Sequence, residues 1–554
     1  MHVAMKAVSA AVLAGLATAP VIAAECRKSG FTNLDAAMYL LSKPQDSVAC
    51  AMKVADGKIA IEGGVTNPAM GCPDMFSWKL FADAVKAEFW KNWASDDQTW
   101  PAHPYALCPP NQKGPHCCDP GTLDNPGYGG LRDPAKYCPY YPGDHQAQPQ
   151  RANAVRLGQP PSKLHVPNFL PRLLATPRAA PGPGAVDPGR IIRQTMTELT
   201  LRNRSMLQFI FSNDLYNNQG LAKVYAANVS NLRTGAPYRR ASVPGALAEI
   251  DLPVDAVMIK SNWLWANAAQ AMNLEEDPEA PHIRMTIRVN VGTDDAPQFE
   301  DRVFWLLSFH VSSKDTPNWI WTTFEYVTNP GRCDYTGCND SYGFDTPDSI
   351  AAGQATNYTA PAQQCDNLDA PSWIWQTGGD YAGGKIRSGL SAVFDAMGIG
   401  TQPASDGPMP SPGDKGWRGY RLKGSQTNFT DSTGLPTHLA NSVTEGGFVS
   451  TSSCITCHAR AALSAPSGGF PALSVFVNQP DVTGYLQSAN GAPDPTWFLS
   501  SRTPPTVVGL QTDFIWGFFN SNDLATPPAA GVLLAPGPDQ DRVLTVRRRT
   551  QENR

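Results

Sequence analysis

Charge is sparse in this chain of 554 residues: 17% are Asp, Glu, Lys or Arg, against roughly 25% in ordinary soluble domains. The 44 basic and 49 acidic side chains leave a formal charge of −5. No cationic field of the kind that draws nucleic acid exists, and the Arg547-Arg548-Arg549 run reads as a solvated tail. Past the first two dozen positions there is no run of about 20 apolar residues, so no helical membrane span is expected. No nucleophile elbow, phosphate-cradling glycine loop or set of paired carboxylates stands out. Glu275-Glu276-Asp277 and Asp294-Asp295 lack the regular spacing of a calcium loop and read as solvated turns. There is one C-x-x-C and no H-x₃₋₅-H, which excludes a zinc site built from two such pairs. Beyond His458 the chain has no Met, His, Lys or Cys.

What the chain does have is one dense motif. Cys454-Ile455-Thr456-Cys457-His458 has the C-x-x-C-H spacing of covalent haem attachment. On a helix, residues three and four apart share a face. Cys454 and Cys457 then reach the two haem vinyl groups while the His458 imidazole meets the iron from the same side. Ala459-Arg460-Ala461-Ala462-Leu463 continues with good helix formers, and Ser452 or Ser453 supplies an N-cap. A thioredoxin-like site would need a βαβ setting, and the residues upstream form a Gly/Ser/Thr-rich loop.

Haem attachment of this kind belongs with export, and the N-terminus agrees. Lys6 followed by the small, apolar run Ala7–Ala17 and the Val21-Ile22-Ala23-Ala24 stretch predicts a signal peptide over residues 1–24. The product is then periplasmic or secreted. Twelve cysteines less Cys454 and Cys457 leaves Cys26, Cys50, Cys72, Cys108, Cys117, Cys118, Cys138, Cys333, Cys338 and Cys365. An even set in an oxidising compartment predicts up to five disulfides, with Cys333 and Cys338 the easiest local pair. Seven of these ten precede residue 140, so residues 25–145 read as stapled more than packed.

Fifty prolines and 47 glycines predict long loops. Composition marks a Pro-rich connector at 146–189, a central domain at 190–401, a short linker at 402–416 and a C-terminal haem region at 417–554, mainly helical or irregular. Phe81, Val85 and Phe89 make Phe76–Trp93 helical, and Ile192, Met196, Leu199, Asn203, Met206 and Ile210 step as a second amphipathic helix. His282–Val291 alternates as a half-buried strand, while Val303–Val311 and Trp319–Val327 read as further strands. The predicted class is α+β: an antiparallel sheet with flanking helices. Three Trp-x-Trp pairs (Trp263/Trp265, Trp319/Trp321, Trp373/Trp375) place two indoles on one strand face, most simply as core.

The motif leaves the iron's second axial position unassigned. With no downstream methionine, the candidates are His438, Met397, Met409, Tyr485 or an open site. His310 lies in an apolar strand and reads as a core histidine, and His103, His116, His145 and His165 carry no assignment.

The stretches Trp319–Glu325, Tyr420–Gln426, Asn441-Ser442, Glu445–Phe448 and Ser453–Arg460 resemble large exported bacterial proteins of the cytochrome c family with a single C-x-x-C-H haem motif. That resemblance implies one covalent haem c and a redox role, and it names no substrate; a redox partner protein is expected from the electron-transfer reading. Two functions follow as expectations: electron transfer, or a haem-dependent oxidoreductase (a peroxidase, oxygenase or dehydrogenase component) with an open iron position.

Overall fold

The computed structural model describes residues 49–112, 116–121, 137–145, 196–234, 247–290, 299–345, 379–405, 407–446, 452–465 and 491–526, with shorter pieces at 27–28, 46, 358–361, 363–364, 449 and 469–473. Residues 1–24, the connector 146–189, Cys26, Cys365, Trp373, Trp375, Asp294-Asp295, His165 and Tyr485 lie outside the described residues.

Seven antiparallel strands make one sheet: β1 (Ala94–Ser95), β2 (Met196–Arg202), β3 (Val257–Trp265), β4 (Arg284–Asn290), β5 (Phe299–Ser313), β6 (Ile320–Tyr326) and β7 (Tyr420–Gln426). Their order is β7-β6-β5-β3-β2-β1, with β4 paired to the first half of β5. Helices α1 (Pro73–Lys86), α2 (Arg204–Ser212), α3 (Asn218–Thr234) and α4 (Ser388–Met397) accompany it. The class is α+β with an antiparallel sheet, as the strand and helix patterns predict. The sheet takes strands from 94–95 and 420–426 as well as from the central segment.

Cross-strand partners share a face, and the two faces differ chemically. On one, Ile259, Phe309, Val311, Phe324 and Leu422 are buried. Helix α1 lies against them, with the Phe81 ring 5.5 Å from Phe309, 5.1 Å from Phe324 and 5.7 Å from Phe394 of α4. On the other face stand Glu198, Lys260, Asn262, Ser308, His310, Ser312, Trp321, Thr323, Glu325 and Gln426. A polar sheet face is ordinary when water covers it. Here most of it is covered by chain.

Three expectations need correction. The Ile192–Ile210 spacing is not one helix: Met196–Arg202 is a strand, with Thr197, Leu199 and Leu201 alternating into the core. The helix starts only where Asn203 accepts from the Met206 N–H at 3.1 Å. The three–four step overlaps a separate period-two alternation through Thr197, Leu199 and Leu201, and the cap at Asn203 decides where the helix begins. Nor is 402–416 a free linker. The Asp414 carboxylate accepts from the Ser405 and Ser411 N–H groups at 3.0 and 2.9 Å, and buried Trp417 stacks on Trp90 at 5.1 Å. The N-terminal region is packed as well as stapled, since Trp78, Phe81, Phe89 and Trp90 are core residues.

Among the described residues four disulfides join Cys50–Cys72, Cys108–Cys117, Cys118–Cys138 and Cys333–Cys338, the last as expected. No described helix is long and apolar enough to cross a membrane. Phe81 sits where α1, α4 and the sheet meet, so Phe81→Ala is expected to destabilise the fold by about 3–5 kcal/mol, read from the midpoint of urea unfolding; a change under about 1 kcal/mol would contradict this packing.

Candidate functional site

The motif opens a six-residue helix, α5 (Cys454–Ala459). A helix that short is marginal alone, and tertiary bonds hold it. Ser453 Oγ caps the Thr456 N–H. Gln426, the last residue of β7, accepts from the Ile455 N–H at 2.9 Å and donates to Ser453 Oγ at 2.9 Å. Arg460 donates to the Thr456 and Gly491 carbonyls at 2.7 and 3.0 Å, and Trp516 Nε1 donates to the Cys457 carbonyl at 3.3 Å. The expected helix is present and Ser453, of the two serines, caps it, but it stops at Ala459: Ala462-Leu463, read as its continuation, belongs to a strand, Ala462–Ser464, paired with Gly509–Gln511.

His458 Nδ1 lies 2.8 Å from the Phe514 carbonyl oxygen. A carbonyl only accepts, so Nδ1 carries the proton and Nε2 keeps its lone pair. Burial pushes the imidazole down to about 4, against the pull of the Phe514 carbonyl and with help from the Lys260 charge, so the ring is neutral at pH 7. One face of the ring packs on Trp321, with centroids 4.3 Å apart. The carbonyl is itself held by an unusual turn. Asp513 and Phe514 have φ of 46° and 67°, a left-handed conformation that costs side-chain-bearing residues on the order of 1 kcal/mol or more each. Asp513 secures it by accepting from Lys314 Nζ at 2.5 Å, the Leu252 N–H at 2.7 Å and Trp319 Nε1 at 3.3 Å.

Cys454 and Cys457 are not joined to each other. Burial pushes the Cys457 thiol up to about 11 and Cys454 well above its ordinary value, the Glu445 charge adding to both. Such thiols stay protonated, unlike the acidic nucleophile of a dithiol oxidoreductase. Among the described residues no cluster of three or more His, Cys, Asp or Glu side chains could hold a bare metal ion. The arrangement offers two neutral thiols and one imidazole lone pair on a single turn of helix, a donor set that fits covalent haem c. Zinc, which takes four ligands, would lack a fourth.

Around the motif the polar sheet face is charged. Lys260 Nζ is 3.0 Å from Glu198, and His310 Nε2 is 3.5 Å from Glu445 Oε1. Side-chain exposure rises from 12% at His310 and 14% at Glu445 to 33% at Lys260 and 40% at Glu198, so this cluster reaches solvent at the last two. Burial lifts Glu445 to about 7 despite Lys260, and burial with the neighbouring Lys260 charge drives His310 well below its ordinary value. Burial alone would lower Lys260; the Glu198 and Glu445 carboxylates outweigh it and raise it. Deeper in, Lys423 and Glu325 form a fully buried pair at 3.3 Å. Glu325 also accepts from the Ser442 N–H at 2.8 Å, the Ser442 hydroxyl and Asn329 Nδ2. With Asn441 Nδ2 donating to Thr323 Oγ1 at 2.9 Å and Thr444 Oγ1 to Asn262 Oδ1 at 2.6 Å, these bonds fasten residues 441–445 over the sheet.

The axial candidates separate clearly. Met397 ends α4, whose Phe394 packs on Phe81, so it lies on the apolar side of the sheet, away from the motif. Met409 follows Pro408, whose carbonyl accepts from the Thr286 N–H of β4. His438 stays beside the motif: its neighbour Leu439 donates to the Ser452 carbonyl and accepts from Cys454 Sγ. His310, expected in the core, instead faces the motif's side of the sheet. The first Trp of each described Trp-x-Trp pair, Trp263 and Trp319, is fully buried, while Trp321 touches His458 and Trp265 lies under Arg302. Of the acidic turn, Glu276 accepts from the His282 N–H and Arg284. Phe514, Lys423 and Glu325 carry no sequence signal for their roles. His310 does: Ser308, His310 and Ser312 put a polar residue at every second position of an apolar strand.

No protein-family model, curated protein or solved structure matches this chain.

Removing Lys423 strands a buried carboxylate, so Lys423→Met is expected to cost about 3–5 kcal/mol in urea unfolding. Adding Glu325→Gln should recover most of it. A single variant as stable as the parent would show that the pair does not secure this cover.

Proposed function

We propose that the chain binds one haem c through Cys454 and Cys457, with His458 as an axial iron ligand, and transfers electrons to or from a partner protein. The observation that supports this best is the oxidation state of the cysteines. Every other described cysteine is in a disulfide, yet these two lie three residues apart on one helix and remain unpaired. In an oxidising compartment a vicinal pair left free calls for another covalent partner. When bound, the iron porphyrin supplies one-electron oxidation and reduction.

The protein's own part is positioning. Phe514 fixes the tautomer of His458, and its hydrogen bond raises the basicity of the ligating nitrogen. Trp321 restrains the ring against rotation. The partly exposed Glu198 and Lys260 give the site an edge toward solvent, where a partner can approach. A periplasmic or secreted location accords with the disulfides and with the leader expected at residues 1–24.

Holoprotein run on a denaturing gel should keep a haem-stained band. Cys454→Ala with Cys457→Ala should abolish it, while His458→Ala should retain a partly attached haem with an altered optical spectrum and potential. A double variant that keeps its stained band would contradict the attachment.

A further inference from the structure

The geometry of the polar sheet face says which residue meets the iron opposite His458. This inference rests on the haem assignment above. Along β5 and β6 the paired positions form rows: Ser312 with Trp321, His310 with Thr323, Ser308 with Glu325. Successive rows are two residues apart, about 7 Å along the strands. His458 stands over the first row, on Trp321. Its Nδ1 end is turned to Phe514, and the adjoining Asp513 is tied to Lys314 and Trp319, the residues just beyond that row at the β5–β6 connection. Nε2, free of that bond, lies on the side of the ring away from Phe514, and the next row of this face along the strands is that of His310.

We propose that His310 is the second axial ligand, so that the iron is held between His458 and His310 above the polar face of the sheet. Two metal–imidazole bonds of roughly 2 Å each, with the half-width of each ring, put ring centres about 6–7 Å apart, which matches one row. His310 Nε2 is a buried nitrogen with no hydrogen bond, and Glu445 at 3.5 Å is not bonded to it. The other nearby nitrogen, Lys260 Nζ, is engaged by Glu198 at 3.0 Å, and a protonated ammonium has no lone pair to give. Met397 is on the wrong side of the sheet. His438, next to the first cysteine of the motif, is the competitor.

The test uses the full-length holoprotein, with haem staining on a denaturing gel read beside optical and EPR spectra. The parent is expected to be low-spin and indifferent to carbon monoxide. His310→Ala should keep the stained band, turn high-spin and bind carbon monoxide; His310→Met should return to low spin at a higher potential, as His/Met ligation does. His438→Ala should leave the spectrum unchanged. A stained parent that is already high-spin and binds carbon monoxide overturns the proposal. So does a His310→Ala or His310→Met protein whose spectrum and potential match the parent's, and so does loss of low spin in His438→Ala instead. A parent without stain sinks the haem assignment itself, which keeps the two failures distinct.

Discussion

Glu325 sits with no exposure in the middle of a sheet face. A carboxylate buried there without partners would cost several kcal/mol, so the chain around it is obliged to supply them. Lys423 provides the countercharge from the next strand, where the register shifts between Leu422 and Gly424 and brings an extra residue onto this face. Asn329 and Ser442 supply the hydrogen bonds. Ser442 belongs to the covering segment, and its neighbours Asn441 and Thr444 bond to Thr323 and Asn262 beside it. The same requirement that neutralises one side chain thus lays residues 441–445 across the sheet and sets the approach of the motif helix that follows.

That helix needs two further anchors, one at each end. Gln426 holds the N-terminal end to β7, and the Asp513–Phe514 turn offers the carbonyl that His458 takes. The turn adopts its left-handed backbone because Lys314, Trp319 and Leu252 all bond to Asp513. Strain is stored where a carbonyl must point in one direction, and the surrounding bonds make that direction the stable one. The helices on the apolar face do none of this, but they bury the opposite side of the same strands and keep the platform rigid.

Much of this was legible. Period-two alternation located β4, apolar and aromatic runs located β5 and β6, and the motif with a serine before it located the start of α5, though not its end. The reading failed where one residue served two patterns. Met196 and Leu199 keep a helical step of three, which in a strand puts them on opposite faces; Thr197, Leu199 and Leu201 carry the inward alternation, and pairing with β3, which lies far along the chain, chose the strand. His310 was masked by Phe309 and Val311, which face the helices; only its alternation with Ser308 and Ser312 marks the other face. The roles of Phe514 and Glu325 depend on contacts spanning 56 and 98 residues. A backbone carbonyl that receives an imidazole has no residue type at all, so no pattern could announce it.

The most direct test is the mass of the peptide carrying residues 454–458, released by proteolysis of the denatured, unreduced protein after maturation in a host that attaches haem to C-x-x-C-H sites. That peptide is expected to carry one iron porphyrin bound through both sulfurs. Finding the same peptide without porphyrin, its two cysteines joined as a disulfide, would contradict it.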